Sequence, residues 1–221
     1  MSASLAGRRV LVSAGPTYED IDPVRFLGNR SSGRMGFALA AAAASLGAET
    51  VLVAGPVRLE TPPGVRRIDV RSAADMHEAV LSGLPADLYI GAAAVADWTP
   101  RGVASHKLKK EPGVDTFTLV LVRTADILAD VAAHPSRPRC VVGFAAETGE
   151  DADIARYARG KLERKRVDFI CANRVGVAGS GFEAEDNALQ VFWKEGERRF
   201  GPAPKMRLAR DLLDFIAERI A

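Results

Sequence analysis

Two lysine clusters and one glycine-rich run carry the chemistry that can be read from this chain. Five of its seven lysines fall in two groups, Lys107, Lys109 and Lys110, then Lys161 with Lys165, while Lys194 and Lys205 stand apart. The second group is spaced i, i+4, so on a helix both ammonium groups project from one face. Clustered cations suit a polyphosphate. One charge pair at 4 Å contributes only about 4 kcal/mol at an effective dielectric of 20, so holding a triphosphate takes several cations and a metal. The run Gly28 to Gly36, GNRSSGRMG, has small residues that allow close backbone approach, and Ser31 or Ser32 is expected to cap a helix whose free N–H groups face an anion.

Further along, Gly91-Ala92-Ala93-Ala94-Val95-Ala96-Asp97-Trp98 leaves room for a ligand at the end of an apolar run. Asp97 is then expected at the mouth, where it can meet ligand donors or a hydrated Mg²⁺. Thr99 to Thr116 reads as a lid: it is polar, it is punctuated by Pro100, Gly102, Pro112 and Gly113, and it carries the first lysine cluster. Phe144, in VGFAAET, is placed to pack on a base or ribose. Each feature also has a plainer reading, as a solvated charge run, a turn cap or a core aromatic. Their convergence on one ligand is what favours function.

Other chemistries find less support. His77, His106 and His134 form no Ser/His/Asp arrangement and no metal-binding spacing. Cys140 and Cys171, 31 residues apart inside apolar runs, read as reduced core thiols. A dinucleotide fingerprint would need Gly-x-Gly-x-x-Gly directly after the first strand and an acidic residue ending the second, which instead ends Ala54-Gly55-Pro56. An NAD(P)-dependent reductase and a non-catalytic nucleotide-binding module remain as alternatives. The 30 basic and 28 acidic residues give a net charge of +2, against a dedicated nucleic-acid binder. No apolar run approaches the ~20 residues of a membrane span, and Met1 to Arg9 lacks a signal-peptide core. A cytoplasmic location is expected, with no membrane or nucleic-acid partner.

The elements that must position these residues follow from periodicity. Short β-branched runs alternate with Ala-rich helical stretches, which predicts an α/β, Rossmann-like three-layer fold with a mostly parallel sheet. Strands are expected at 10–13, 50–54, 66–70, 88–93, 140–145 and 169–172, and helices at 33–46, 73–82, 125–134, 151–166 and 204–220. Phe117 to Val122 and Ala188 to Trp193, the latter followed by a turn at Glu195-Gly196, read as added strands at a sheet edge, a hairpin or a dimer contact. Nearly twenty residues separate the first strand from the first helix, where a βα loop normally uses about 2–6. No linker divides the chain, so residues 1–221 are expected to form a single domain.

The motifs together resemble the bacterial phosphopantothenoylcysteine synthetase family. The resemblance rests on SAGPT at 13–17, DPVR at 22–25, NRSSGRMG at 29–36, AAAVADW at 92–98, KLKK at 107–110, VGFAAET at 142–148, and the stretch from Lys161 through DFICAN. It implies a CTP-dependent ligase of coenzyme A synthesis that activates 4′-phosphopantothenate as an acyl-cytidylate and then transfers it to L-cysteine. Carried onto this chain, Asn29 would hold the acyl-cytidylate, its amide donating to the activated carbonyl or a phosphate oxygen, and Lys107 would be the catalytic lid lysine. Ala92, Ala93, Asp97, Ala125, Asp126, Ile127, Leu128 and Phe144 would line the nucleotide pocket, with Lys161 and Lys165 meeting the triphosphate. Gly15, Ser31, Ser32, Gly33 and Gly36 would join Asn29 around substrate and phosphate. Mg²⁺ is implied as cofactor with no ligands assigned, and a homodimer is implied with the lid near the subunit contact. Arg34 stands where many relatives have Lys, and Ala125 where many have Pro. Many relatives also carry a flavin-dependent decarboxylase domain fused upstream; this chain is expected to hold only the synthetase half.

Overall fold

Val10, Leu11 and Val12 are buried on both faces of their strand, as a run of β-branched and aliphatic residues must be when helices cover a parallel sheet from both sides. In the computed structural model, which describes residues 4–110, 112–113, 115–174 and 186–220, this strand lies near the middle of eight. In chain order the elements are β1 (Arg9–Ala14), β2 (Tyr18–Asp20), β3 (Phe26–Gly28), α1 (Arg34–Ser45), β4 (Glu49–Ala54), β5 (Val65–Asp69), α2 (Ala73–Ser82) and β6 (Leu88–Gly91). There follow β7 (Trp98–Pro100), β8 (Leu121–Arg123), α3 (Ile127–Ala133), β9 (Cys140–Glu147), α4 (Asp151–Lys165), β10 (Phe169–Arg174), β11 (Asp186–Trp193), β12 (Gly196–Pro204) and α5 (Lys205–Ile220).

The main sheet runs β12-β11-β10-β9-β6-β1-β4-β5. Strands from β10 to β5 are parallel, and β11 and β12 are added antiparallel. Helices α1 and α5 pack together over one face of the sheet, while α2, α3 and α4 cover the other. The fold is therefore the three-layer α/β arrangement that the periodicity predicts. After β1 the chain builds outward through β4 and β5, then returns to place β6 on the opposite side of β1. That reversal opens a crevice at the carboxyl ends of β1 and β6, the place where open α/β sheets bind ligands.

The expected strand at Phe117–Val122 is a correction. Residues 117–120 lie in no strand, and only Leu121–Arg123 pairs, with β7, in a separate two-stranded ribbon. Phe117, Val120 and Leu121 are exposed, so an apolar run with no sheet face beneath it gains nothing by extending its ladder. The second added strand does form, as β11, and continues through a tight turn at Lys194-Glu195 into β12. The long β1–α1 connection contains the β2–β3 hairpin, which the sequence did not announce. Its Tyr18 and Phe26 rings stack 3.9 Å apart.

Candidate functional site

The carboxyl ends of β1, β6, β9 and β10 open into a cleft of about 830 Å³. Its shape begins with the glycines. Gly15 ends β1 at φ 83°, and Gly33 precedes α1 at φ 75°, conformations that a Cβ would strain. A Cβ at Gly36 would overlap that of Ala14, so α1 sits directly against the strand end and its first amides open toward the crevice. The helix cap is thus Gly33 rather than the expected Ser31 or Ser32. The Ser31 hydroxyl instead accepts from the Gly33 N–H at 3.3 Å.

The exit of β6 forms the opposite wall, and side chains from three segments hold it. Ala92 N–H donates to the Ser13 carbonyl and Ala94 N–H to the Gly15 carbonyl. The Ala96 peptide is gripped at both ends: its N–H donates to Thr17 Oγ1 at 3.0 Å, and its carbonyl accepts from Thr124 Oγ1 at 2.6 Å. Asp97 follows, exposed at the mouth. Asn29 bridges from the glycine-rich run, its Nδ2 donating to the carbonyls of Ala94 at 2.9 Å and Val95 at 3.2 Å. Both amide hydrogens are thereby used within the protein. That corrects the expectation that they donate to a ligand and leaves Oδ1, an acceptor, as the polar atom open to one.

Deeper in the cleft, buried Tyr89 shares a 3.0 Å hydrogen bond with Ser13, and burial pushes its hydroxyl up to about 12. Phe144 projects from β9 and is half-buried against the core. Asp126 caps α3 by accepting from the Ala129 N–H at 3.1 Å and also receives Lys165 Nζ at 2.9 Å. Lys161 faces Glu147 at 3.8 Å. The α4 lysines therefore meet carboxylates while projecting, as their spacing predicts, from one helix face.

The structure brings together at this cleft Asn29, Ser31, Ser32, Gly33, Gly36, Ala92, Ala93, Asp97, the segment 125–128, Phe144, Lys161 and Lys165. Gly15 lies just beneath it. Lys107 does not line it, which departs from its expected position over the phosphates. The neighbouring Leu108 N–H donates to Asp22 Oδ2 at 3.1 Å, and the Leu108 carbonyl accepts from Arg25 at 2.7 Å, so this part of the expected lid is held against the β2–β3 hairpin. In its place the cleft contains Arg34, which the sequence reading noted only as a departure from relatives, and residues that it missed: Arg123, Asn173, Asn187 and Lys205. Lys205 stands apart from both lysine clusters in the sequence, so clustering does not point to it.

The reductase alternative loses ground here. The end of β4 is buried, and a Cβ at Gly55 would overlap the Pro16 carbonyl oxygen, so no carboxylate can be presented to a ribose from that position. Among the described residues no group of three or more His, Cys, Asp or Glu side chains forms a metal cage. No described helix is long and apolar enough to cross a membrane.

Comparison with known proteins agrees with the motifs. Residues 5–220 match the family described as DNA/pantothenate metabolism flavoprotein C-terminal domain. The coenzyme A biosynthesis bifunctional protein CoaBC of Vibrio cholerae is 51% identical over 217 residues, covering 98% of this chain and 54% of that protein. Its counterpart in Bacillus subtilis is 48% identical over 219 residues, 98% of this chain and 52% of that protein. This chain thus spans about half the length of the curated relatives it matches. The solved C-terminal domain of a CoaBC aligns with a TM-score of 0.81 at 37% identity, covering 99% of this chain and 98% of that one. A flavoprotein structure from Streptococcus pneumoniae, 21% identical over 96% of this chain and all of that one, has the same fold at a TM-score of 0.81. Motifs, fold and sequence identity converge, and the chain belongs to the DNA/pantothenate metabolism flavoprotein C-terminal domain family, the family of the C-terminal half of CoaBC.

Proposed function

We propose that this chain is a phosphopantothenate–cysteine ligase unit of coenzyme A biosynthesis that uses CTP. The observation that carries the reading is the convergence, at one strand edge, of the glycine-shaped floor, Asn29, Asp97, Phe144 and the two α4 lysines. A carboxylate is a poor electrophile, so amide formation needs prior activation. The 4′-phosphopantothenate carboxylate oxygen attacks the α-phosphorus of CTP, a P–O bond forms, and pyrophosphate leaves. The cysteine amine nitrogen then attacks the acyl carbon, CMP departs with the acyl C–O bond electrons, and the amine gives up a proton.

Within this scheme Lys161 and Lys165 exchange their carboxylate partners for phosphate oxygens. Phe144 and residues 125–128 flank the nucleoside. Asn29 Oδ1 accepts from the attacking amine and so orients its lone pair toward the acyl carbon. Ser31, Ser32 and the first amides of α1, made accessible by Gly33 and Gly36, receive the phosphate side of the intermediate. For Lys107 to act on the phosphates, Leu108 must leave the Asp22 clamp. Mg²⁺ fits as an ion shared with the triphosphate, because the described carboxylates offer Asp97 rather than a cage; when bound it would neutralise charge on the leaving pyrophosphate. A homodimer would cover Phe26, Trp98, Phe117 and Leu121, large apolar residues exposed on the two small ribbons and the adjoining segment. An upstream flavin-dependent decarboxylase domain in the native protein accords with the half-length match, and a cytoplasmic location with such a pathway.

The test is to incubate the protein with CTP, Mg²⁺ and 4′-phosphopantothenate, with and without cysteine. Pyrophosphate release that depends on phosphopantothenate, followed by CMP release that depends on cysteine, is expected. Release that ignores phosphopantothenate would overturn the ligase reading, and equal turnover with ATP would overturn the choice of CTP.

A further inference from the structure

Among the described residues, six basic side chains line the cleft: Arg30, Arg34, Arg123, Lys161, Lys165 and Lys205. Most are already engaged. Lys161 and Lys165 meet Glu147 and Asp126, and Arg34 and Lys205 have interactions of their own. Arg30 and Arg123 are both exposed and pair with no carboxylate among the described residues. They differ in one respect: an aromatic ring holds the Arg123 side chain in place, and none holds that of Arg30.

The hold comes from the β7–β8 ribbon. Trp98 and Arg123 lie directly opposite each other in the antiparallel pair, and the guanidinium sits over the indole, 5.5 Å from the ring centroid. An exposed arginine ordinarily samples many rotamers that a ligand must arrest, whereas one already laid on a ring loses less freedom on binding. Stacking occupies the face of the guanidinium and leaves the N–H fork in its plane for an oxyanion. The root of the ribbon is itself fixed: the Thr124 N–H donates to the Asp97 carbonyl at 3.1 Å, and Thr124 Oγ1 donates to the Ala96 carbonyl at 2.6 Å. Arg123 is thus carried by the same wall that presents Asp97 and residues 125–128. Behind it lies a second hollow of about 540 Å³, whose carboxylates are committed elsewhere: Glu19 to the Ala73 N–H, Asp20 to Arg71 and Asp75 to the Ser72 N–H.

We propose that Arg123, held on Trp98, is a phosphoryl-binding residue of the cleft, additional to the α4 lysines. This rests on the ligase reading only for the identity of the ligand. Two phosphoryl sources share the required chemistry: the triphosphate that becomes pyrophosphate, and the 4′-phosphate of the acyl substrate.

Calorimetric titration with pyrophosphate, CTP and 4′-phosphopantothenate separates them, with cytidine and pantothenate as controls that lack the phosphoryl group. Arg123→Gln is expected to weaken binding about 5- to 10-fold for at least one of the three phosphorylated ligands, the lower end for a charged hydrogen bond because the position is exposed. Both controls should bind as before. Loss for CTP, with or without pyrophosphate, assigns Arg123 to the triphosphate. Loss for phosphopantothenate alone assigns it to the 4′-phosphate. Unchanged affinity for all three overturns the proposal. So does a loss that extends equally to cytidine or pantothenate, which would make Arg123 a prop for the wall rather than a contact. A wild-type chain that binds these ligands through Arg123 but shows no phosphopantothenate-dependent turnover would defeat the ligase reading and leave the residue's role standing. Turnover by the wild-type chain with unaltered affinities in Arg123→Gln would do the reverse, and a wild-type chain that binds none of the three would overturn both.

Discussion

The floor of the cleft at residues 92–96 and the described residues of the segment 101–120 both lie outside the named helices and strands, but they are held in different ways. In the floor, the Ser13 and Gly15 carbonyls, Thr17, Thr124 and Asn29 all bond to residues 92–96, and the glycines leave no space to shift. The lysine-bearing segment has long exposed stretches, and its Leu108 amide is held by one carboxylate, Asp22, which also accepts from the amides of Val24 and Arg25 in the β2–β3 turn. A ligand surface is built by the first and can be uncovered or covered by the second. Rigidity here follows from the number of crossing hydrogen bonds rather than from secondary structure.

Four substitutions would break or sharpen this contrast. The largest effect is expected at Gly36→Val, where the new Cβ overlaps the Ala14 Cβ at the end of β1 and neither α1 nor the sheet can yield. We expect a loss of about 3 kcal/mol, measured by denaturant unfolding; an unchanged midpoint would mean the floor is softer than its contacts imply. Thr17→Val keeps the shape but strands the Ala96 N–H, for about 2 kcal/mol. It should also raise KM for the nucleotide through Asp97 more than it lowers the unfolding midpoint would suggest.

Asp22→Asn is expected to leave the unfolding midpoint nearly unchanged while speeding amide hydrogen exchange at residues 104–108. The Arg25 guanidinium, with the three amides, holds the Asp22 carboxyl well below its ordinary 3.8. Because the folded value lies below the unfolded one, the clamp contributes fully above about pH 4 and weakens as the pH falls further. Protection at 104–108 should therefore drop in acid in the wild-type chain, and less so in Asp22→Asn. The smallest effect belongs to Lys165→Met. Its pair with Asp126 is partly exposed and contributes under about 1 kcal/mol, so any large change should appear in nucleotide binding alone.

The sequence made the core strands legible because Val10 to Val12, Thr50 to Ala54 and Cys140 to Ala145 are buried on both faces and carry continuous apolar signal. The β2–β3 hairpin gave none. Three-residue strands depend on distant partners, here Arg71, whose carbonyl receives the Tyr18 N–H and whose guanidinium pairs with Asp20 at 2.6 Å. β12 was hidden for a related reason, since Phe200 is its one buried side chain. Within the site, helical spacing placed Lys161 and Lys165 because period fixes direction. Lys107 lies on a segment whose position is decided by Asp22, 85 residues earlier, and Lys205 meets Arg34 only through the packing of α5 on α1. Neither relation leaves a local pattern.

The two cysteines have a practical consequence. Cys140 and Cys171 lie in neighbouring strands of the core, and burial pushes both thiols well above the usual range. A protein proposed to take free cysteine as substrate thus keeps its own sulfur chemically silent, out of reach of mixed-disulfide exchange with the very molecule it consumes. The same burial makes the pair a built-in gauge: a thiol-reactive dye would label this chain only as fast as the sheet opens, so reagent kinetics alone would report its conformational lifetime.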